Sequence, residues 1–257
     1  MRAIKGFFVL AVIVAILAGA ATIGLRVARG KPSGVEEVKP GIVAVSSVSS
    51  FVYAAKVGSK VILFDAGADP AGSPIDAALG WLHAGRSDIN DLFLSHGHGD
   101  HSAGASSLGH IRIRLGAGDT ALAEKKVPPE ALAGKAFTLA MAFPAVTPSD
   151  PLTGPTTIDV GDGKKVKAFP IPGHTPGSYA YLYDGVLFVG DAMIFKQGRL
   201  DPAIKLFDAH PEENKASIRA LQKQIENEEI DIICTGHGGC TPKGLGRNQL
   251  TDLVARL

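Results

Sequence analysis

Residues 95–101 read Ser-His-Gly-His-Gly-Asp-His and place four side chains that can bind metal ions within six positions. They follow a short apolar run that predicts a strand. In an extended chain His96, His98 and Asp100 project to the same side, and a turn into a helix brings His101 back towards them. Imidazole and carboxylate groups are the usual ligands of zinc and related ions. A solvated histidine-rich turn is the alternative, but the pattern favours a metal site at a strand end.

Four more motifs place His or Asp residues at the ends of predicted strands. They are Phe64-Asp65-Ala66-Gly67, Pro172-Gly173-His174-Thr175-Pro176-Gly177-Ser178, Val189-Gly190-Asp191 and Thr235-Gly236-His237-Gly238. With residues 96–101, which form an H-x-H-x-D-H motif, their order resembles that of the metallo-β-lactamase superfamily. The resemblance covers about residues 38–240. It implies an α/β fold, a four-layer αββα sandwich with metal ions at one edge of the sheets.

The resemblance also implies a ligand set for two divalent metal ions per chain. The set is His96, His98 and His174 for one metal, Asp100, His101 and His237 for a second, and Asp191 as the bridge between them. Asp65 resembles a residue that orients a ligand imidazole by accepting a hydrogen bond from its other nitrogen. A plain turn aspartate before Gly67 is the alternative. Zinc is the expected metal, with iron or manganese as alternatives.

The chemistry that this centre implies is hydrolysis. Two cations that share a water lower its pKa towards neutrality and provide a bridging hydroxide as the nucleophile. Asp100 would be the catalytic residue that orients this hydroxide or handles its proton. The expected enzyme is a zinc-dependent metallo-hydrolase that acts on a small acyl substrate, an ester, lactone or thioester. The sequence contains no G-x-S-x-G motif, the pattern that would indicate a serine nucleophile instead.

Some residues of this sequence differ from the patterns of individual branches of the superfamily, and these differences narrow the range of expected substrates. Asp191 stands where thiolate-type β-lactamases have a cysteine, which counts against β-lactamase activity. Ile194 stands where acyl-homoserine lactonases tend to have a tyrosine. Residues 190–195, Gly-Asp-Ala-Met-Ile-Phe, are similar to a run in glyoxalase-II-like thioesterases. Those enzymes append a helical domain that binds the thiol carrier, and with 20 residues after His237 we expect that domain to be absent.

A mononuclear-iron persulfide dioxygenase is the alternative from a different class of enzyme. In such members of the superfamily the counterparts of His96, His174 and Asp191 hold one iron, so only the metal content separates this alternative from a hydrolase. A non-catalytic scaffold is disfavoured because such relatives usually lose ligands. A phosphodiesterase is also disfavoured. Nucleases that process transfer RNA are disfavoured as well, because they need a basic arm that binds RNA and no segment of this sequence provides one.

The composition is that of one larger globular domain, which we assign to residues 35–257. The chain has 257 residues, 46% hydrophobic and 20% charged, with only two cysteines, which excludes disorder and a disulfide scaffold. Five of the 26 basic residues lie in the first 31 positions, which contain no acidic residue, so the rest carries 21 basic against 25 acidic residues. This mildly acidic body argues against nucleic-acid partners.

The N-terminal segment predicts membrane association. Gly6–Leu25 is a run of 20 residues without charge, long enough to span a bilayer. It continues past Ala18–Ala21, which a signal peptidase accepts, and this favours a transmembrane anchor over a cleaved signal segment. Residues 1–34 are therefore expected to be an anchor or signal segment with a short tether, and all of residues 31–40 reads as polar tether. We expect a membrane-anchored or exported protein, with the periplasmic or extracellular side favoured.

Local patterns predict several further elements of the domain. Phe51–Val57 and Lys60–Phe64 predict strands of an antiparallel sheet, and a helix is predicted over Asp100–Leu108. Residues 125–154 predict a loop and helix insertion, either an apolar lid over the site or a packed surface excursion.

Two cysteines flank one of the expected metal ligands. Cys234 and Cys240 surround His237 with the spacing C-x-x-H-x-x-C. We expect two reduced thiols, one of them in the core at a strand end. A disulfide that pins the loop of His237 is the alternative if the domain faces an oxidising compartment.

Overall fold

The computed structural model describes residues 34–47 and 50–257. These residues form fourteen strands and six α-helices. The strands are β1 Val35–Lys39, β2 Ile42–Ser46, β3 Phe51–Val57, β4 Lys60–Phe64, β5 Ile89–Phe93, β6 Arg112–Gly116, β7 Asp150–Leu152, β8 Thr156–Gly161, β9 Lys164–Pro170, β10 Tyr179–Tyr183, β11 Val186–Phe188, β12 Met193–Lys196, β13 Arg199–Pro202 and β14 Ile232–Cys234.

The helices begin where the sequence offers suitable first-turn residues. They are α1 Ser73–Trp81, α2 Gly99–Ser102, α3 Thr120–Ala123, α4 Leu132–Met141, α5 Pro211–Gln224 and α6 Gly246–Arg256. A proline occupies the first turn of both α1 and α5, where its missing N–H costs nothing. Glu212 and Glu213 in the first turn of α5 complement the positive end of its dipole.

Two mixed sheets form the centre of the fold. The first has the order β1-β2-β3-β4-β5-β6-β7, antiparallel from β1 to β4 and parallel from β4 to β7. The second has the order β14-β11-β10-β9-β8, in which only β11 and β14 are parallel. A separate hairpin joins β12 to β13. The α/β sandwich that the sequence predicts is confirmed, and the structure adds that both of its sheets are mixed.

Alternation of side chains along the strands divides the core into layers. In β3, Tyr53 and Ala55 face the core between the two sheets, whereas Val52 and Ala54 face the opposite side. In the second sheet Tyr181 faces the same inter-sheet core.

The outer face of each sheet is covered by helices. Ile75 and Leu79 of α1 pack on the first sheet. Ile218 of α5 and Leu250 and Leu253 of α6 pack on the second. The sheets therefore form the two inner layers, with helices on both outer faces.

Chain direction explains why the candidate site forms at one edge. Because β10 is antiparallel to both β9 and β11, and β11 is parallel to β14, the strands β9, β11 and β14 all run the same way. Their carboxyl ends meet at one edge of the second sheet, and the loops that follow them carry His174, Asp191 and His237. The parallel pair β4 and β5 of the first sheet delivers Asp65 and residues 95–101 in the same manner.

The interpretation of residues 31–40 as polar tether is wrong for its second half. Val35–Lys39 is an edge strand that pairs with β2, with Val35 opposite Val45. Val35 and Val38 pack against the two faces of the first sheet. The charged residues between them hide this strand in the sequence, and such charges are common on edge strands.

The helix predicted over Asp100–Leu108 is shorter than expected. α2 stops at Ser102, and a 3-10 turn, Ala103–Ser107, follows it. The N–H of Gly104 donates to the carbonyl of Gly67 instead of to its own helix, at 3.1 Å. Contact with the loop after β4 therefore replaces helical hydrogen bonds.

Within residues 34–47 and 50–257 the structure has no helix whose length and hydropathy would let it cross a bilayer. The apolar run Gly6–Leu25, for which a hydrophobic helix is predicted, lies outside the described residues.

Candidate metal centre

The histidine motif occupies the turn between β5 and α2. His96 is buried and is the third residue after β5 ends at Phe93. His98 keeps extended backbone angles as the residue before the helix. Asp100 and His101 are in the first turn of α2, which directs their side chains back towards the strand end. A Cβ on Gly99 would lie 2.2 Å from the ring of Phe143, so this turn requires glycine where the insertion packs on it.

Three imidazoles converge on one side of the site. His98 Nδ1 lies 3.0 Å from His96 Nε2 and 3.1 Å from His174 Nε2. The ring of His174 comes from the loop after β9, 76 positions away from His98 in the chain. One ring nitrogen of each of these three residues lies within 4.8 Å of the other two, a spacing that suits shared binding of a cation.

A second group lies beside the first. His101 Nε2 is 3.4 Å from His237 Nε2, and Asp100 Oδ2 is 3.6 Å from His237 Nε2 and 3.8 Å from His101 Nε2. The ligand atoms of these three residues also lie within 4.8 Å of one another. Asp100 and His101 are buried, whereas the side chain of His237 is 30% exposed and closes the group on the solvent side.

Asp191 connects the two groups. Its Oδ2 is 3.0 Å from His237 Nε2 and 3.6 Å from His174 Nε2, and its Oδ1 is 3.3 Å from His101 Nε2. Asp191 also forms a third group of ligand atoms with His96 and His101. The carboxylate therefore contacts side chains that belong to both of the other groups.

The residues present fit divalent cations. Asp191 Oδ1 is buried and accepts no hydrogen bond within the described part of the chain, although it faces the cluster. A buried carboxylate oxygen without a donor is costly unless a cation satisfies it. The donor set of imidazole nitrogens and carboxylate oxygens is the one that zinc prefers.

Burial and charge set the protonation of the imidazoles. Burial lowers the pKa of His174 to about 3 and lowers the pKa of His96 well below its usual value, so both rings stay neutral, as a ligand must. Burial also lowers the pKa of His101, but Asp191, Asp100 and Asp65 outweigh it and raise that pKa well above 6.5.

Neighbouring imidazoles act in turn on the carboxylate of Asp191, which connects the two groups. Burial alone would raise the pKa of Asp191, but His237 and His101 outweigh it and hold that pKa well below its usual value. Asp191 therefore remains ionised, and it faces two imidazoles, those of His101 and His237, whose pKa values are raised. A metal ion that binds there would have to displace their protons.

Asp65 anchors the turn behind the site. Its Oδ2 is 2.8 Å from His101 Nδ1 and accepts a hydrogen bond from Ser95 Oγ at 2.8 Å, while its Oδ1 accepts from the Ser95 N–H at 2.7 Å. Ser95 Oγ is also 3.0 Å from His96 Nδ1. A hydrogen bond at Nδ1 leaves Nε2 of each imidazole free to face the cluster.

An apolar cavity of about 280 Å³ opens beside the cluster. Its lining side chains come from the insertion, from the hairpin of β12 and β13 and from the segment after it. They include Phe137, Thr138, Met193, Ile194, Ile204 and Phe207, next to His98, Asp100, His174, Asp191 and His237. Within residues 125–154, α4 forms one wall of this cavity, and the interpretation of this insertion as a substrate lid stays a prediction.

Sequence reasoning missed Asp119 and the apolar residues after β13. Asp119 is buried and binds the loops of both His98 and His174. Its local sequence, Gly-Ala-Gly-Asp after a strand, indicates only a turn. Phe207 and Ile204 occupy a segment without regular pattern, so no periodicity marks them as cavity residues.

The expectation of two reduced thiols is wrong, since Cys234 and Cys240 form a disulfide. The chain leaves β14 at Cys234 and returns at Cys240 in an antiparallel bridge, which brings the two Cα atoms within 4.0 Å. His237 lies in the loop that this bond closes. The spacing of the cysteines could not reveal that the loop doubles back.

Known proteins resemble this chain in sequence and in fold. Hydroxyacylglutathione hydrolase of Dechloromonas aromatica is 32% identical over 151 residues, 58% of this chain and 46% of that protein. The enzyme of the same name from Halorhodospira halophila is 30% identical over 122 residues, 47% of this chain and 40% of that protein. The match thus spans less than half the length of these curated relatives.

A subclass B3 metallo-beta-lactamase of Bradyrhizobium japonicum shares the fold. Its crystal structure aligns with a TM-score of 0.63 at 21% identity and covers 88% of this chain and 92% of that one. A sequence model of the metallo-beta-lactamase superfamily matches residues 43–237, which include every residue of the cluster. The chain therefore belongs to the metallo-beta-lactamase superfamily.

Proposed function

We propose that this protein is a metal-dependent hydrolase of small, largely apolar acyl compounds such as an ester, a lactone or a thioester. The observation that carries the proposal is the convergence of seven histidine and aspartate side chains, in three overlapping groups, beside an apolar cavity. The hydrolase names of the curated relatives support the same reaction class.

We assign two divalent cations, zinc first, to the two outer groups of side chains. His96, His98 and His174 would hold one, Asp100, His101 and His237 the other, and Asp191 would contact both. Bound there, such cations supply Lewis-acid activation of water near neutral pH.

The protein side chains supply orientation and proton handling. Asp100 lines the cavity, and its Oδ2 is the carboxylate oxygen near His237. At that position the Asp100 carboxylate can accept a hydrogen bond from the attacking water and take its proton. Asp65 keeps His101 in place through Nδ1. The cavity walls hold the acyl group and exclude bulk water from it.

The cavity favours an uncharged acyl group. Phe137, Ile204 and Phe207 provide apolar walls, and no lysine or arginine is among the described residues that line the cavity. A glutathione thioester carries carboxylates that such walls do not neutralise. We therefore propose an acyl substrate without that carrier, although the curated relatives are named for it.

The test measures metal content and hydrolysis together. The purified full chain, loaded with zinc, is expected to bind two ions and to hydrolyse members of a panel of aryl esters, lactones and simple thioesters. Asp191→Ala is expected to reduce the occupancy to about one ion or less and the rate by orders of magnitude.

Two outcomes would contradict the proposal. Full occupancy by two ions in the Asp191→Ala variant would contradict the assignment of Asp191 as the residue that bridges them. Oxygen uptake by an iron-loaded enzyme on glutathione persulfide, with no hydrolysis by the zinc or iron form, would identify a dioxygenase.

We also propose that Gly6–Leu25 anchors the protein in a membrane or directs its export. The charge-free length of this run supports the proposal, and so does the disulfide of Cys234 and Cys240, because disulfides persist in oxidising compartments. Without residues 1–31 the enzyme is expected to stay active in the supernatant after lysis. A full-length protein found in the cytosolic fraction with Met1 retained would contradict it.

A further inference from the structure

Asp119 is a fully buried carboxylate that the proposed ligand set does not include. It ends the 3-10 turn Ala117–Asp119, which follows β6. Its side chain points between two loops of different origin. One is the turn after β5 that carries His96 and His98, and the other is the loop after β9 that carries His174.

Three donors from these loops meet the carboxylate. Asp119 Oδ2 accepts a hydrogen bond from the Gly97 N–H at 2.7 Å and another from Thr175 Oγ1 at 2.6 Å. Asp119 Oδ1 accepts from the Gly177 N–H at 2.7 Å. Hydrogen bonds to an ionised acceptor are shorter and stronger than those between neutral groups. Asp119 therefore ties the two loops together at a single point.

The donors are adjacent to the histidines. Gly97 lies between His96 and His98, and Thr175 follows His174 directly. Two of the contacts depend on glycine, which has no Cβ. A Cβ on Gly177 would lie 2.3 Å from the backbone nitrogen of Asp119, and a Cβ on Gly97 would lie 3.0 Å from the carbonyl oxygen of Asp119. The backbone of each loop can approach Asp119 only because glycine stands there.

We propose that Asp119 is a positioning residue that sets the distance between His98 and His174 and thereby preorganises the three-histidine group for a cation. His98 Nδ1 and His174 Nε2 lie 3.1 Å apart although the two residues lie in loops that follow strands of different sheets. The inference rests on the proposed metal centre. A loose loop would have to be ordered on binding, and that cost would appear directly in the metal affinity.

Two substitutions remove the link without removing a histidine. Asp119→Asn keeps the size of the side chain but replaces one acceptor oxygen with an NH₂ group, which faces a donor of either loop. Thr175→Val removes the hydroxyl that donates to Asp119 and that also lies 2.7 Å from Ser178 Oγ, while the acceptor carboxylate stays, so it is the milder change. Thr175→Ser retains that hydroxyl and tests whether the conservative variant rescues the link.

Asp91→Asn is the matched control. Asp91 is equally buried, but it lies in β5 and pairs with Arg112 and Arg114, away from the cluster. Its loss destabilises the fold without touching either histidine loop. The measurement is zinc affinity of the full chain, by competition with a chromophoric chelator, next to the unfolding midpoint of each variant.

Asp119→Asn is expected to lose affinity for at least one zinc ion by about 10- to 100-fold, the size of loss found when a residue behind a metal ligand is replaced. Thr175→Val is expected to lose less. Thr175→Ser and Asp91→Asn should stay within about threefold of the unmodified chain, a spread smaller than that effect. Unchanged affinity in both link variants, or an equal loss in Asp91→Asn, would overturn the inference.

The same titration separates the two proposals. If the unmodified chain binds zinc and only the link variants lose affinity, the positioning role stands even when no acyl substrate is hydrolysed. If the unmodified chain binds no zinc, the metal centre and the positioning role fail together. If Asp119→Asn does not fold, the comparison of Thr175→Val with Thr175→Ser decides the outcome.

Discussion

Gly236 shows how little room surrounds the carboxylate of Asp191. A Cβ at this position would lie 2.1 Å from Asp191 Oδ1 and 2.6 Å from His101 Cε1. Neither atom can move freely, because Asp191 Oδ1 is a buried atom, His101 is a fully buried side chain, and both residues have neighbours on several sides. The backbone of the loop after β14 thus forms one wall of the candidate centre.

Gly236→Ala is therefore expected to displace Asp191 and to weaken zinc binding by at least about tenfold, with a loss of about 1–3 kcal/mol in the free energy of unfolding from the overpacking. Chelator competition and urea denaturation measure the two effects. Gly154→Ala is the control, since a Cβ there meets nothing within 4 Å. Equal zinc affinity in the two variants would refute the close approach.

Asp100 gives the second prediction at this scale. Its carboxylate lines the cavity and contacts His237. If it handles a proton during turnover, Asp100→Asn should lower kcat by about 100-fold or more, while KM changes little. Steady-state kinetics at full zinc occupancy, verified by elemental analysis, measure this. A rise in KM at unchanged kcat would assign Asp100 to substrate binding instead.

At the scale of elements, α4 has two apolar sides with different surroundings. Phe137 faces the cavity, whereas Leu139, about 200° further around the helix, is 86% exposed. Phe137 also contacts Phe143, whose ring packs on Gly99 of the histidine turn. The helix thus links the cavity wall to the turn that carries His98.

Phe137→Ala is expected to raise KM for apolar acyl substrates by about tenfold at nearly unchanged kcat, because it removes contact area that the bound substrate and the transition state share. Leu139→Ala on the same helix is the matched control and should leave both constants near those of the unmodified enzyme. Michaelis–Menten kinetics with one aryl ester suffice. Equal effects of the two substitutions would mean that α4 does not contact the substrate.

At the scale of the whole molecule, aromatic rings join the two sheets beneath the site. Phe64 of β4 stacks on Phe188 of β11 with ring centroids 3.9 Å apart, and it also contacts Phe93 and Tyr181. The next residue after Phe64 is Asp65, so the same strand end supports both the core and the histidine turn.

Phe64→Ala is expected to lower the free energy of unfolding by about 3–5 kcal/mol, the usual cost of a buried phenylalanine cavity. Trp81→Ala is the comparison, since Trp81 is half exposed and should cost much less. Urea denaturation followed by circular dichroism measures both. A loss below about 1 kcal/mol for Phe64→Ala would show that the sheets are held together elsewhere.

The sequence by itself determined the sandwich and the identity of the clustered side chains. Residues 95–101 concentrate four of them, and the periods of the strands place the other motifs at strand ends. The order of the motifs carries the resemblance that implies the sandwich, and each motif is local, because it depends on spacing within a few residues that the sequence displays directly. For the same reason β3 and β4 match their predicted bounds.

Only the tertiary structure decided which groups meet. Asp119 joins Gly97 and Gly177, 22 and 58 positions away, and the disulfide depends on a chain reversal after β14. The strand Val35–Lys39 exists because β2 offers it a free edge, not because its own pattern is strong. Hydrogen bonds, pairing and burial between distant segments arise from the packing of the sheets, and such contacts leave no periodic trace in the residues that make them.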